Sequence, residues 1–189
     1  MTKPWAYYNE FDPYTAAWLR NLIAAGIIPD GEVDERSILD VDPADVAGFT
    51  QAHYFAGVGG WAFALRLAGW PDERPAATGS CPCQPLSSAG LQQGHVDKRH
   101  IWPAFYNHIT KRRFPVVFGE QVTNPLGREW LAGVRADMEA ARYAFGAANL
   151  PACCVGAPHE RLRAFFVADA DEFGASEERK QRGRMDLRP

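Results

Sequence analysis

The sequence predicts an α/β fold, a mostly parallel sheet with helices on both faces. Three observations predict it. Short apolar runs alternate with stretches of helical period, a glycine-rich turn joins one such run to the next helix, and 47% of the 189 residues are hydrophobic, with 12% aromatic, enough to close a core. The charge balance, 20 Lys and Arg against 23 Asp and Glu for a net −3, excludes a protein held on nucleic acid by bulk charge. Any such contact must be local. The charge-free stretch 75–94 is broken by Pro, Gly, Ser and Gln, so it does not offer the ~20 apolar residues of a membrane span. The first ten residues carry no apolar core of a secretory signal. A soluble cytoplasmic protein is expected, and the clustering of Cys81, Cys83, Cys153 and Cys154 suits reduced thiols better than a disulfide framework.

Residues 6–8 read as the first strand. Asp12 then supplies an N-cap with Pro13 at the first helical position, and Tyr14, Trp18 and Leu22 recur at helical spacing until Gly26 ends the helix. The Pro-, Gly- and acid-rich residues 29–35 predict a loop, with a short extended piece near Ile38. Residues 51–55 form the next strand and run into the glycine turn, and a helix over 61–68 stops at Gly69. A strand over 76–80 leads into residues 82–94, whose composition predicts a long loop. Residues 102–113 are helical in period, and 115–119 make a buried β-branched strand. Residues 126–143 form an amphipathic helix with Trp130, Leu131, Val134 and Met138 on one side. Two last strands, 144–150 and 162–168, flank a turn containing Pro158. The composition turns polar from Asp169, which divides the chain into a folded domain over 1–170 and a solvated tail over 171–189.

Candidate site residues fall at the ends of these strands. In Phe55-Ala56-Gly57-Val58-Gly59-Gly60 the glycines let a ligand approach the backbone and the free amides of a helix start; tight packing alone is the alternative. Glu10 ends the first strand, where nucleotide-binding sheets accept hydrogen bonds from ribose hydroxyls, although an exposed loop acid is the commoner fate of a lone glutamate. In an ordinary dinucleotide fold this acidic strand follows the glycine turn; here it precedes it. Ser80-Cys81-Pro82-Cys83-Gln84-Pro85 offers a thiol on a strand end, stiffened by proline on both sides. Cys81 and Cys153 are otherwise small buried residues, and C-x-C with an adjacent C-C pair lacks zinc spacing, so no metal is expected. Glu120 follows the 115–118 run as a partly desolvated acid or a satisfied structural carboxylate. Strand alternation sends Arg161 and Arg163 to one face, as surface cations or as a fork over an anion or a base edge. Lys111-Arg112-Arg113 and the basic residues of 179–188 suit polynucleotide binding or an ordinary solvated face.

Taken together, these residues resemble the DNA cytosine-5 methyltransferases. That family's Phe-x-Gly-x-Gly-Gly turn matches Phe55 to Gly60. Its Pro-Cys-Gln motif matches Pro82-Cys83-Gln84, with Ser87 and Gly90 in step, and Gly94, Asp97 and Arg99 match the Gly-x-x-Asp-x-Arg of the catalytic loop. Its Glu-Asn-Val motif is similar to Glu120-Gln121-Val122, and its Gln-x-Arg-x-Arg motif to His159-Glu160-Arg161-Leu162-Arg163. The family's second motif resembles Asn9-Glu10-Phe11-Asp12-Pro13-Tyr14, and residues 34–38 are similar to its third. Both precede the first motif, and only 26 positions separate Gly57 from Cys83, too few for two more βα units. The resemblance therefore implies a circularly permuted, Rossmann-like class I methyltransferase.

It further implies S-adenosylmethionine as cofactor, with Phe55 on the adenine, Glu10 on the ribose hydroxyls, Phe11 on the other side, and Gly57, Gly59, Gly60 and Pro82 lining the pocket. Cys83 becomes the nucleophile toward C6 of a cytosine flipped from DNA, Glu120 the partner of N3 and the amine, Arg163 the partner of O2, and Arg161 a support. Gln84, Ser87, Asp97 and Arg99 belong to the substrate loop. The chain departs from the family pattern at Gln121, His159, His53 and Ser37. Nothing after Asp169 resembles the target-recognition region or the last two motifs, so a second chain or further segment is expected to supply recognition. Prokaryotic or phage origin is expected because the family is common there. An RNA cytosine methyltransferase and a non-catalytic cofactor- or nucleic-acid-binding remnant are the alternatives.

Overall fold

The computed structural model describes residues 5–82 and 101–170. In chain order the elements are β1 (Ala6–Asn9), α1 (Pro13–Ala24), β2 (Gly31–Asp34), β3 (Gln51–Tyr54), α2 (Gly60–Leu67), β4 (Ala76–Gly79), α3 (Trp102–Arg112), β5 (Val116–Val122), α4 (Pro125–Ala140), β6 (Ala144–Leu150) and β7 (Arg163–Asp169). The strands form one sheet in the order β2-β1-β3-β4-β5-β7-β6. The first five in that order run parallel, and β7 lies antiparallel between β5 and β6. This is the mostly parallel sheet that the apolar pattern predicted. No helix among the described residues is long and apolar enough to cross a membrane.

Every position of β1, β3 and β4 is buried, as strands covered on both faces require. Alternation along β1 shows the two layers. Tyr7 joins a core with Tyr54, Phe105, Ile109, Trp130, Met138 and Phe166 under α3 and α4, whereas Tyr8 packs with Leu19, Ile28 and Ala62 under α1 and α2. The caps are local. Asp12 Oδ1 accepts the Thr15 amide at 2.8 Å to start α1, and Asn124 Oδ1 accepts the Gly127 amide at 2.7 Å to start α4; in both helices proline follows the cap.

Three sequence expectations change. Residues 31–34, predicted as loop, form β2 by pairing with β1, and the piece near Ile38 is a 3-10 turn; edge pairing overrides the weak β-propensity of Gly-Glu-Val-Asp. In α1, Tyr14 is 83% and Trp18 47% exposed while Ala16 and Leu19 are buried. Two helical stripes were available, and the smaller side chains fit against the sheet. Finally, β5 continues through Val122, so Glu120 lies within a strand rather than after one.

His53 sits in the middle of β3, stacked on Tyr8 at 5.0 Å between ring centroids, with Nδ1 2.9 Å from Thr78 Oγ1. Nε2 has no hydrogen-bond partner among the described residues. Burial therefore lowers its pKa to about 3, so the native state stays neutral while the unfolded chain takes up a proton below its ordinary value of about 6.5. Stability is retained above that value and lost as pH falls toward the folded one. Between pH 7.5 and 5.5 the expected loss from this residue is about 1 to 2 kcal/mol. Urea unfolding at the two pH values measures it, and His53→Asn is expected to lose that part of the pH dependence; an unchanged slope in the variant contradicts the assignment.

Candidate active site

Parallel pairing aligns the C-terminal ends of β1, β3, β4 and β5, with Asn9 opposite Tyr54 and Tyr54 opposite Gly79, which pairs with Gly119. Ligands of open α/β sheets bind beyond such ends. Glu10, the glycine turn, Ser80 to Pro82 and Glu120 therefore share one edge. Because β7 is antiparallel, its first residue joins them: Arg163 lies opposite Val122, and Glu120 opposite Phe165.

The turn after β3 is held from β1. Glu10 Oε2 accepts the Gly57 amide at 2.7 Å, Glu10 Oε1 accepts the Asp12 amide at 2.9 Å, and the Ala56 amide reaches Asn9 O at 3.0 Å. Each carboxylate oxygen keeps a further lone pair for a donor such as a hydroxyl. Phe55 has φ +52, and Gly57 and Gly59 have φ +54 and +78. A left-handed phenylalanine is uncommon and costs of order 1 kcal/mol, a strain found most often at functional turns. Its half-buried ring stands edge-on to Phe105 at 5.9 Å. A Cβ at Gly57 would meet only Phe55 O at 3.9 Å, and one at Gly60 nothing within 4 Å. The turn is open on that side. Gly59 instead backs onto Leu19 and Leu22 of α1, with a Cβ 3.2 and 3.3 Å from them. Phe11 is 72% exposed. Past the end of β2, Ser37 Oγ accepts the Leu39 amide at 3.3 Å.

At the other end of the edge, Glu120 Oε1 and Arg163 Nε form an ion pair at 2.8 Å, each side chain about a quarter exposed. Arg161 lies outside β7, exposed and at φ +35, so strand alternation does not carry it to the face of Arg163. The strand begins at Arg163 because pairing to Val122 and Leu150 begins there. Gln121 points to the opposite face, donating to Cys81 O at 3.5 Å and accepting the Val122 amide at 2.9 Å. Cys81 is 7% exposed, and burial pushes its thiol pKa well up, which keeps it protonated at neutral pH and makes it a core side chain. Pro82 is exposed. Cys83, Gln84, Ser87, Asp97 and Arg99 lie outside the described residues.

A family model described as C-5 cytosine-specific DNA methylase matches residues 69–186, more than half of the chain. The chain belongs to that family. The chain is 34% identical over 92 residues to the type II methyltransferase M.AplI of Arthrospira platensis, a match covering 48% of this chain and 27% of that protein. It superposes on a DNMT2 mutant of Spodoptera frugiperda with a TM-score of 0.56 at 13% identity, over 86% of this chain and 41% of that one. The corresponding values for Dnmt2 of S. pombe are 0.47 and 11%, over 88% and 51%. The first of these superpositions shows the class I methyltransferase fold, and the chain spans well under two thirds of each of these relatives. Membership of the family implies S-adenosylmethionine as cofactor.

The residues present fit that cofactor. The open flank at Gly57 and Gly60 admits a ligand against the backbone, and the Glu10 carboxylate offers acceptors to vicinal hydroxyls. Sequence reasoning found these residues by motif but missed Trp61 and Ser80. Trp61 Nε1 donates to Ser80 Oγ at 3.0 Å, a contact between residues whose types carry no chemical signature of their own.

Proposed function

We propose that this chain is the catalytic and cofactor-binding part of a DNA cytosine-5 methyltransferase, with residues 1–170 as the working domain and 171–189 as a polar tail. The observation that carries the proposal is the convergence of the Glu120–Arg163 pair, the Glu10-held glycine turn and Pro82 on one sheet edge. Pro82 leads directly into Cys83.

Cytosine leaves the duplex at a cost of a few kcal/mol, offset by contacts in the pocket. The Cys83 thiolate then forms a bond to C6. Glu120 hydrogen-bonds the exocyclic amine and protonates N3, drawing the displaced electron pair into the ring, while Arg163 holds O2 and Arg161 supports the site. C5 thereby becomes an enamine carbon. When bound, the cofactor supplies the electrophilic methyl group that C5 takes up, with Phe55, Phe11, Glu10, Gly57, Gly59, Gly60 and Pro82 holding it. Loss of the C5 proton to a base returns an electron pair to the ring, the C6–S bond breaks with its pair going back to Cys83, and N3 gives its proton back to Glu120. Gln84, Ser87, Asp97 and Arg99 line the substrate side.

Circular permutation belongs to the same proposal. In the doubly wound order 3-2-1-4-5, the strand bearing the glycine turn comes first and its two flanking strands follow it. Here those positions are held by β2-β1-β3, with the turn on the third strand. The family match begins at residue 69, past the turn, which supports an altered order in residues 1–68. A second chain or further segment supplies target recognition. The free thiols of Cys81, Cys153 and Cys154 support a reducing compartment, the cytoplasm of a prokaryote or of a phage-infected cell.

Trapping tests the proposal. With 5-fluorocytosine, fluorine replaces the departing proton and the adduct cannot resolve. Incubation with S-adenosylmethionine and substituted duplex DNA is expected to give a denaturant-resistant protein–DNA species, absent in Cys83→Ala. Trapping on RNA alone contradicts the substrate, and cofactor binding without an adduct on either polymer contradicts the reaction.

A further inference from the structure

We propose that Trp61 is a positioning residue that sets the glycine turn at the right distance from the Glu120–Arg163 pair. The inference rests on the methyltransferase reading above. The two groups come from strands that are not neighbours: the turn leaves β3, Glu120 lies on β5, and β4 runs between them. Sheet hydrogen bonds fix strand to strand, but the turn and the first residues of α2 lie beyond the ladder. On the β1 side the turn is held by the Ala56 amide on Asn9 O and by Glu10; toward β5 the tie is through side chains.

Trp61 is the second residue of α2, directly after Gly60. Its indole reaches three strands at once. Nε1 donates to Ser80 Oγ at 3.0 Å, one residue past the end of β4 and two before Pro82. The ring stacks on Phe118 of β5, 6.0 Å between centroids and 29° between planes, and meets Phe165 of β7 edge-on at 6.0 Å and 77°. Phe118 shares a face with Glu120 two residues on, Phe165 shares one with Arg163, and Phe165 lies opposite Glu120 across the ladder. One side chain therefore ties the start of α2 to both strands of the ion pair and to the stretch that leads into Cys83. Indole has a single donor and no acceptor, so only its Nε1–H can make the Ser80 contact, while the ring contacts survive in a smaller aromatic.

Geometry of this kind acts on the step that joins two bound reactants, not on the binding of either. Trp61→Phe keeps the ring contacts and deletes the donor; Ser80→Ala deletes the acceptor. Both are expected to lower kcat for methyl transfer by about 10- to 100-fold, the effect of misplacing reacting groups by about 1 Å, with KM for cofactor and DNA within about threefold of the unmodified chain. The double variant falls no further than either single one, and Ser80→Thr, which keeps a hydroxyl, restores the rate. Thermal melts of each variant accompany the kinetics. A kcat within twofold of the unmodified chain in both single variants overturns the proposal. So does a loss that follows cofactor KM or melting temperature and is not rescued by threonine, since that is a structural role. Absence of transfer by the unmodified chain defeats the methyltransferase reading itself, and this inference with it.

Discussion

Glu120→Gln is expected to lower the methyl-transfer rate by about 10²- to 10⁴-fold, the range for losing a positioned general acid, while leaving stability within about 1 kcal/mol. Glutamine matches glutamate in shape and its carbonyl can accept the Arg163 Nε–H now bonded at 2.8 Å, so the local geometry has no reason to collapse. It cannot deliver a proton to N3. Each side chain of the pair is about a quarter exposed, so the Arg163 charge keeps contact with water as well as its hydrogen bond when residue 120 becomes neutral. Rate and stability should therefore separate. Steady-state kinetics with labelled S-adenosylmethionine, alongside thermal unfolding, distinguish the two; a variant that turns over within threefold of the unmodified chain removes Glu120 from the acid role. Arg163→Ala is the companion: it leaves Glu120 without its partner and is expected to impair substrate binding as well as rate.

Cys83→Ala is expected to abolish turnover while cofactor affinity stays within about threefold. C5 of cytosine is too poor a nucleophile without addition at C6, so no slower route through the same site remains once the sulfur is gone. The contrast lies two residues earlier. Cys81 is buried, its thiol pushed up by desolvation, and the Gln121 contact is to its backbone oxygen rather than its sulfur. Cys81→Ala is accordingly expected to keep turnover and to cost of order 1 kcal/mol in stability. Methyl transfer and cofactor titration on the two variants check this, and the reverse pattern, activity lost with Cys81 and kept without Cys83, contradicts the assigned nucleophile.

Most strands and helices were legible where local chemistry decides them. Asp12 with Pro13, the helical spacing along residues 126–143 and the glycine turn each announce an element from a few consecutive residues, and the structure has α1, α4 and the β3–α2 turn there. Legibility ended where partners are distant. Gly31 to Asp34 carry no strong strand signal and become β2 because β1 offers an edge. Tyr14 and Trp18 form a good apolar stripe, yet Ala16 and Leu19 take the buried face. Arg161 and Arg163 read alike in sequence, but the ladder begins only at Arg163.

The site divides the same way. The Pro-Cys-Gln run, the glycine turn and the strand-end glutamate could be read as motifs because each lies within a few consecutive residues, and the resemblance they carry supplied the reaction class to be tested. Tertiary structure alone decided which of these meet. Glu10 reaches across 47 positions to the Gly57 amide, Glu120 finds Arg163 through an antiparallel pairing, and Trp61 finds Ser80. Each contact depends on strand order and register, which are set by the packing of the whole sheet and leave no mark on the residues adjacent in the chain.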